Sequence, residues 1–449
     1  MNHSVRTRSR SIDASLVLAG NTLSLGFGFL AGLLAARVFE PAVRGEYAML
    51  TTVCAFVSVL SGLGFAEAIV YFYRRGEADA QRTATSIVFV NGGIALLVLG
   101  AALAFGPWLA ARYFPTGGLV AAWVAVGAGL LAIFQRNGNA LFQARGLFLR
   151  SSAILVLQPA IFVASLAVVG WTGAGFGVAV AMFGLSFALG ALLVLVPLLR
   201  QVTPRALDAA FLGRVARFSA KSYANVAFGQ LNYRLDLFIV GALIPDLARL
   251  ADYHIASTLA GLIWILPDAY ATAIYPRLAG LTNERERSAE TAMSVRVVLV
   301  PVVLLAIGLA VTAPLLVPLL FGERYAGAVP LTLLLLPGTF AMSLNKVLAR
   351  YFLASNRQQV AAFGMAAGLT IDVLALVVLL PRWGVAGAPV AASAAYFASL
   401  AVSGGAFLLG ADLRREDLHR FPMREIHAYL NAARGAWQRL GRNLPRTGV

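Results

Sequence analysis

Apolar windows of about 20 residues, the length that crosses the ~30 Å hydrocarbon core of a bilayer, recur from residue 13 to residue 411 with short polar breaks between them. No other feature constrains the fold as strongly. In hydrocarbon every backbone N–H and C=O must be satisfied internally, and segments of this length achieve that as helices. The chain of 449 residues is 59% hydrophobic and 12% charged, with a mean hydropathy of +0.79, outside the range of a soluble globular domain. The reading is an all-α polytopic membrane protein with spans at about 13–36, 46–73, 83–109, 118–144, 151–171, 175–199, 218–243, 250–275, 294–320, 328–353, 358–381 and 386–411.

Charge supplies the orientation. The net charge of +16 would suggest nucleic acid in a soluble protein, but its distribution here is topological, so no nucleic-acid partner is expected. With both termini in the cytoplasm, that side receives Arg6, Arg8, Arg10, Arg74, Arg75, Arg82, Arg136, Arg145, Arg150, the basic groups from Arg200 to Lys221, Arg277 to Arg296, Lys346 to Arg357, and eight arginines after Asp412. The opposite side receives Arg37, Arg44, Arg112, Arg249, Arg324 and Arg382. That asymmetry is the positive-inside pattern for about twelve helices with N and C termini inside. The domain division follows: a basic N-terminus at 1–12, helices one to six at 13–200, a cytoplasmic linker at 201–217, helices seven to twelve at 218–411, and a basic tail at 412–449. In the tail Met423, Ile426, Leu430, Ala433, Trp437, Leu440 and Leu444 alternate at steps of three and four, which predicts a helix lying on anionic inner-leaflet lipid.

Several chemistries are excluded by count. Cys54 is the sole cysteine, and His3, His254, His419 and His427 lack ligand spacing, so neither a disulfide nor a metal site is expected. "GFGFLAG" at 26–32 lies inside a span without a preceding strand, so helix packing explains its glycines. No phosphate-cradling Gly-x-x-x-x-Gly-Lys-Ser/Thr run is present, and no cofactor is expected beyond H+ or Na+ as a coupling ion.

The chain repeats itself. "PAVRGEYAMLTT" after span one matches "PDLARLADYHIAST" after span seven, setting Gly45-Glu46-Tyr47 over Ala251-Asp252-Tyr253. "VVGWTGAGFGVAVA" matches "LLPRWGVAGAPVAA", setting Trp171 over Trp383, and "FQRNGNALFQARG" matches "LNKVLARYFLASN", setting Gln135-Arg136 over Asn345-Lys346 and Phe142 over Phe352. The offset grows from about 204 to about 212. Six spans is an even number, so the halves share one orientation, and two pseudo-symmetric six-helix lobes around a central cavity are expected.

These strings, with "NYRLDLFIVGALIP", "PDAYATAIYPRLAG" and "IDVLALVVLLPRWGVAGAPVAA", resemble the polysaccharide (O-antigen type) flippase family of the multidrug/oligosaccharidyl-lipid/polysaccharide exporter superfamily across residues 13–411. The resemblance implies a transporter rather than an enzyme. It implies alternating access and passage of an undecaprenyl-pyrophosphate-linked oligosaccharide, a repeat unit of O-antigen, capsule or exopolysaccharide, to the outer leaflet. Polysaccharide polymerase and chain-length machinery are the implied partners. Asp372 departs from the family's usual Asn in span eleven. Two alternatives stand beside it: a multidrug or small-solute antiporter of the same fold, whose cavity should be acidic or aromatic, and a membrane glycosyltransferase or ligase, which should carry a large outer loop.

Polar residues inside spans mark the candidate path, because hydrocarbon penalises them. Arg136, Asn139 and Gln143 share a face of span four, and Lys346 and Arg350 a face of span ten. Arg136 lies roughly 14 Å from the cytoplasmic end at 1.5 Å per residue. Guanidinium forks suit phosphate oxygens, so these cations are candidates for a pyrophosphate, with snorkelling to headgroups as the competing reading. In span seven Lys221, Asn225, Asn232 and Asp236 fall within about 60° at 100° per residue, with Arg234 opposite, which reads as a cavity-lining helix or as internal charge pairing. Glu67, Asp236, Asp252, Asp268 and Asp372 are candidate ion-coupling carboxylates, each with a structural reading as partner to a buried arginine.

Overall fold

The computed structural model describes residues 2–413, apart from the side chains of residues 2–15, 18, 220–222 and 224–226. The expected amphipathic tail from residue 414, and the side chains of Lys221 and Asn225, lie outside the described residues. The helices are α1 (Asn2–Val38), α2 (Pro41–Gly62), α3 (Phe65–Arg74), α4 (Ala80–Tyr113), α5 (Gly118–Ala144), α6 (Phe148–Thr172), α7 (Phe176–Leu199), α8 (Ala209–Leu243), α9 (Leu247–Gly261), α10 (Ile265–Gly280), α11 (Glu284–Leu320), α12 (Ala328–Ala354), α13 (Gln358–Trp383) and α14 (Gly387–Gly410). Among the described residues there is no strand, as the apolar windows require. Among the described residues ten segments are long and apolar enough to cross a membrane; the last covers α13 and α14 together, and α8 does not qualify because its polar residues lower its hydropathy.

Two expected spans are broken. Span two divides at Leu63-Gly64, consecutive residues with φ of 46° and 68°, and α3 restarts at Phe65. Span eight divides at the corresponding place, where the 3-10 turn Leu262–Trp264 joins α9 to α10. The sequence shows both as continuous apolar runs because hydropathy does not register a left-handed pair or a tightened turn. The linker expected at 201–217 is also mostly helix. After the short turn Pro204–Ala206, Asp208 caps α8 by accepting from the Ala210 and Phe211 N–H groups at 2.9 and 3.1 Å.

The chain forms two compact units. The first comprises Met1–Ala256, Pro314–Leu331 and Val373–Pro389. Its central helix is α5, which packs on α2, α3, α4 and α7, while α1 packs along α6. Glycine permits these approaches: a Cβ at Gly138 of α5 would fall 2.0 Å from Val194 Cγ1 of α7. Phe65, Phe72, Ile87, Leu141, Phe142 and Phe211 form part of its buried core. The opposite faces are apolar but uncovered, as at Leu96, Leu97 and Phe105 of α4, exposed by 74%, 76% and 67%. Such a surface belongs in lipid.

The second unit comprises Ser257–Ala313, Thr332–Asp372 and residues 390–413. Tyr351, Phe352, Leu348 and Phe407 fill one of its cores, and Ile263, Val298, Val302 and Val347 another. Phe142 and Phe352, matched by the repeat, are both fully buried. Trp171 and Trp383, also matched, are both exposed at helix ends, as interfacial tryptophans are.

Candidate functional site

Within the first unit α1, α3, α5 and α6 line an open cavity of about 450 Å³. Its lining is unlike the lipid face: α5 supplies Gln135, Arg136, Asn139 and Gln143, α3 supplies Glu67, α1 supplies Asn21 and Ser24, and α6 supplies Ser151 and Gln158. Of the expected site residues, Arg136, Asn139, Gln143 and Glu67 are therefore brought together. Asn21, Ser24, Ser151 and Gln158 were not anticipated, because single small polar residues on long apolar helices carry little signal alone.

The break in span two positions the charged pair. Glu67 stands in the first turn of α3, where the helix dipole favours a carboxylate. Arg136 lies beside the C-terminal end of α2, close enough that a Cβ at Gly62 would be 3.4 Å from its Nη1. There it donates to Glu67 Oε1 at 3.1 Å. The two side chains keep 32% and 44% of their exposure, so the pair is wetted and holds weakly. Gln135 donates to the Phe187 carbonyl at 2.8 Å, Gln143 to the Ser151 hydroxyl at 3.0 Å, and Gln158 to the Ser186 hydroxyl at 3.3 Å. Asn139 Oδ1 finds no partner among the described residues. The site thus presents a loosely held guanidinium with fixed amides and hydroxyls around it, while Asn139 Oδ1 is buried in the wall.

The second unit repeats the charge arrangement. Asp268 lies in the first turn of α10, after the matching break, and accepts from Lys346 Nζ at 2.9 Å through both oxygens. Lys346 also stands 5.2 Å from the Trp264 ring. Each half therefore pairs a cation of its fourth span with an acid at the restart of its second. Arg350 lies one turn beyond Lys346 and is half-buried.

Other expected residues lie elsewhere. Asp236 is buried and accepts from the Tyr253 hydroxyl and, at 2.7 Å, from the Leu237 N–H, which makes it an anchor between α8 and α9. Asn232, also buried, donates to the Phe228 carbonyl at 3.0 Å within α8. Arg234 lines a small apolar crevice with Phe56 and Leu60. Asp372 is buried in α13. Asp252 lies against Gly327, where a Cβ would come within 2.4 Å of Oδ2. None of these reaches the 450 Å³ cavity.

The Arg-Gly-Glu-Tyr turn is structural in every residue. Pro41 opens α2. Arg44 is buried, donates to His254 Nδ1 at 3.3 Å and lies 4.7 Å from the Tyr47 ring, while its Nε and Nη1 find no partner among the described residues. Gly45 is required by contact, since a Cβ would fall 2.0 Å from the Leu247 carbonyl oxygen. Glu46 accepts from the Thr116 and Gly117 N–H groups, each at 2.9 Å, and Tyr47 stacks on Phe162.

This fold, with a polar cavity among apolar helices, resembles that of solved transporters of the multidrug/oligosaccharidyl-lipid/polysaccharide exporter superfamily. Residues 34–330 match the model of the polysaccharide biosynthesis protein family, and the chain belongs to that family. No curated protein matches the sequence significantly. Among solved structures it is similar to the lipid II flippase MurJ in an inward closed conformation, with a TM-score of 0.72 at 12% identity over 91% of this chain and 90% of that one. An inward-facing multidrug resistance MATE family transporter follows at 0.65 and 14% identity, covering 88% and 97%. A superfamily transporter from Pyrococcus furiosus, described as having a binding pocket of reverse polarity, is similar at 0.55 and 14% identity, covering 89% and 93%.

Proposed function

We propose that this protein is a flippase that carries an undecaprenyl-pyrophosphate-linked oligosaccharide, a repeat unit of a surface polysaccharide, across the bacterial inner membrane by alternating access between its two six-helix lobes. The observation that carries the reading is the 450 Å³ cavity with Arg136 in its wall and amide and hydroxyl groups around it. That volume lies within the roughly 300–1,000 Å³ of ligand pockets. A pyrophosphate offers oxygens for the guanidinium, and sugar hydroxyls can pair with Asn139, Gln135 and Gln158. Membership of a polysaccharide biosynthesis family supports the substrate class, and the MurJ-like fold supports a transporter rather than an enzyme. An amide-rich lining whose one guanidinium is held only by a displaceable carboxylate suits an anionic glycolipid better than a cationic drug.

The carboxylates explain how the charge is managed. Glu67 and Asp268 neutralise Arg136 and Lys346 while no substrate is present, and a pyrophosphate displaces them. A displaced carboxylate takes up H+ or Na+, which makes Glu67 and Asp268 better coupling candidates than the anchored Asp236. Polysaccharide polymerase and chain-length machinery would receive the product. The test is export in a host deleted for this gene: Arg136→Gln expressed at the parent level should fail to restore polymer, and full restoration would overturn the assignment.

A further inference from the structure

An Arg-Tyr dipeptide occurs at Arg112-Tyr113 and again at Arg324-Tyr325, 212 residues later, the offset the repeat reaches in its later part. The first pair ends α4 and the second follows α11, which are equivalent helices of the two halves. Both dipeptides bond across to the other half. Arg324 donates Nη2 to the Ala36 and Arg37 carbonyls at the end of α1, at 2.8 and 3.0 Å, and Tyr325 donates its hydroxyl to the Phe39 carbonyl at 3.2 Å. Arg112 donates Nη2 to the Ala242 carbonyl at the end of α8, and Tyr113 donates its hydroxyl to the Phe238 carbonyl at 3.0 Å. Arg37 and Ala242 correspond at the repeat offset of about 205. Each arginine thus caps the C-terminal carbonyls of the other half's first helix, where the helix dipole favours a cation.

We infer that the two Arg-Tyr dipeptides form a pseudo-symmetric latch that closes this end of the transporter and must release for the substrate to leave by it. The motif acids hold the latch in place. Glu46 fixes the segment immediately after Tyr113, and Asp252, its counterpart in the repeat, lies against Gly327 immediately after Tyr325. The α1 crossing is the stronger, because Arg37 donates in return to the Leu320 carbonyl, at 2.9 Å, and to that of Leu319, and Arg324 pairs with Glu40 at 3.4 Å. At the α8 crossing Ala242 stands where Arg37 does and returns no side-chain bond. Of the six arginines that the charge pattern assigns to the outer side, Arg37, Arg112 and Arg324 are thereby engaged. Carbonyl acceptors suit a device that opens repeatedly: the bonds are numerous, individually modest and replaceable by water.

The inference rests on the alternating-access reading, but its test needs no substrate, so the two can fail separately. In a Cys54→Ala background, Ala48→Cys places a thiol at a fully buried position of α2, one turn beyond Arg44. Labelling by a charged thiol reagent is then measured on protein in lipid nanodiscs, where both faces are accessible. Arg324→Ala should raise the rate on the order of tenfold, Arg112→Ala less, and the double variant most. Tyr113→Phe with Tyr325→Phe removes two hydroxyls and leaves the packing intact, so it should raise labelling several-fold at an unchanged thermal midpoint. An unchanged rate in the folded double variants, or an increase accounted for entirely by a lowered midpoint, would overturn the latch.

Discussion

Gly45→Ala offers the sharpest perturbation of the closed end. The added methyl carbon would sit 2.0 Å from the Leu247 carbonyl oxygen and 2.9 Å from Leu247 Cβ. Ordinary contact begins at 3.4 Å, so the shortfall is 3.4 − 2.0 = 1.4 Å. The obstructing atom is backbone and cannot rotate away, so α2 and the start of α9 must part by about that amount. Overpacking of this kind costs about 1–3 kcal/mol. If the cost falls on the closed state alone, the closed-to-open equilibrium shifts by about 5- to 150-fold. The assay is the labelling rate at Ala48→Cys in nanodiscs, which should rise within that range while the protein still inserts. Gly92→Ala in α4 is the control, since a Cβ there meets nothing within 4 Å and helix propensity favours it. Equal labelling rates and thermal midpoints for Gly45→Ala, Gly92→Ala and the parent would refute the close approach.

Glu67→Gln removes the carboxylate that competes for Arg136; transport assays should show a lower KM for pyrophosphate-linked substrate together with a lower kcat, because release slows. Arg136→Ala combined with Lys346→Ala should abolish polymer export while membrane insertion, followed by immunoblot, is retained. Gly138→Ala drives a methyl into Val194 and should lower the thermal midpoint through a cost of about 1–3 kcal/mol. The Asp208 carboxylate is held below the usual range, chiefly by the Phe211 N–H. A depressed folded-state value stabilises fully above the unfolded value of about 3.9 and is lost as pH falls through the folded one. Thermal scans of Asp208→Asn should therefore lie below the parent by a constant margin from pH 5 to 8 and converge with it in acid.

The helical bundle and its repeat were legible because hydrocarbon imposes a length and a composition on every span, and because matched positions such as Phe142 and Phe352 serve the same packing role. Arg136 was legible as a site residue because its cost inside a span demands a reason. Its partner was less so. Glu67 meets Arg136 through the break at Leu63-Gly64, a change of backbone hand that leaves no mark in hydropathy. The sequence stripe of span seven fits either a lining surface or internal pairing, and the choice needs the fold: Asp236 accepts from Tyr253 and Asn232 donates to the Phe228 carbonyl, since a helix amid other helices can turn a polar face inward to a hydrogen bond rather than to a cavity. The Arg-Tyr repeat was visible as two letters 212 residues apart, but its meaning depends on which carbonyls lie opposite, and only tertiary structure supplies that.

The central claim is that the cavity with Arg136 in its wall carries a pyrophosphate-linked glycan, and flipping by purified protein in proteoliposomes tests it most directly. With a fluorescent polyprenyl-pyrophosphate oligosaccharide, the parent should translocate the lipid, and Arg136→Gln should be slower by about 10- to 150-fold at sub-saturating substrate, the equivalent of about 1.5–3 kcal/mol for a charge-assisted bond. Equal rates for parent and Arg136→Gln, or parent rates no faster than empty liposomes, would contradict the account.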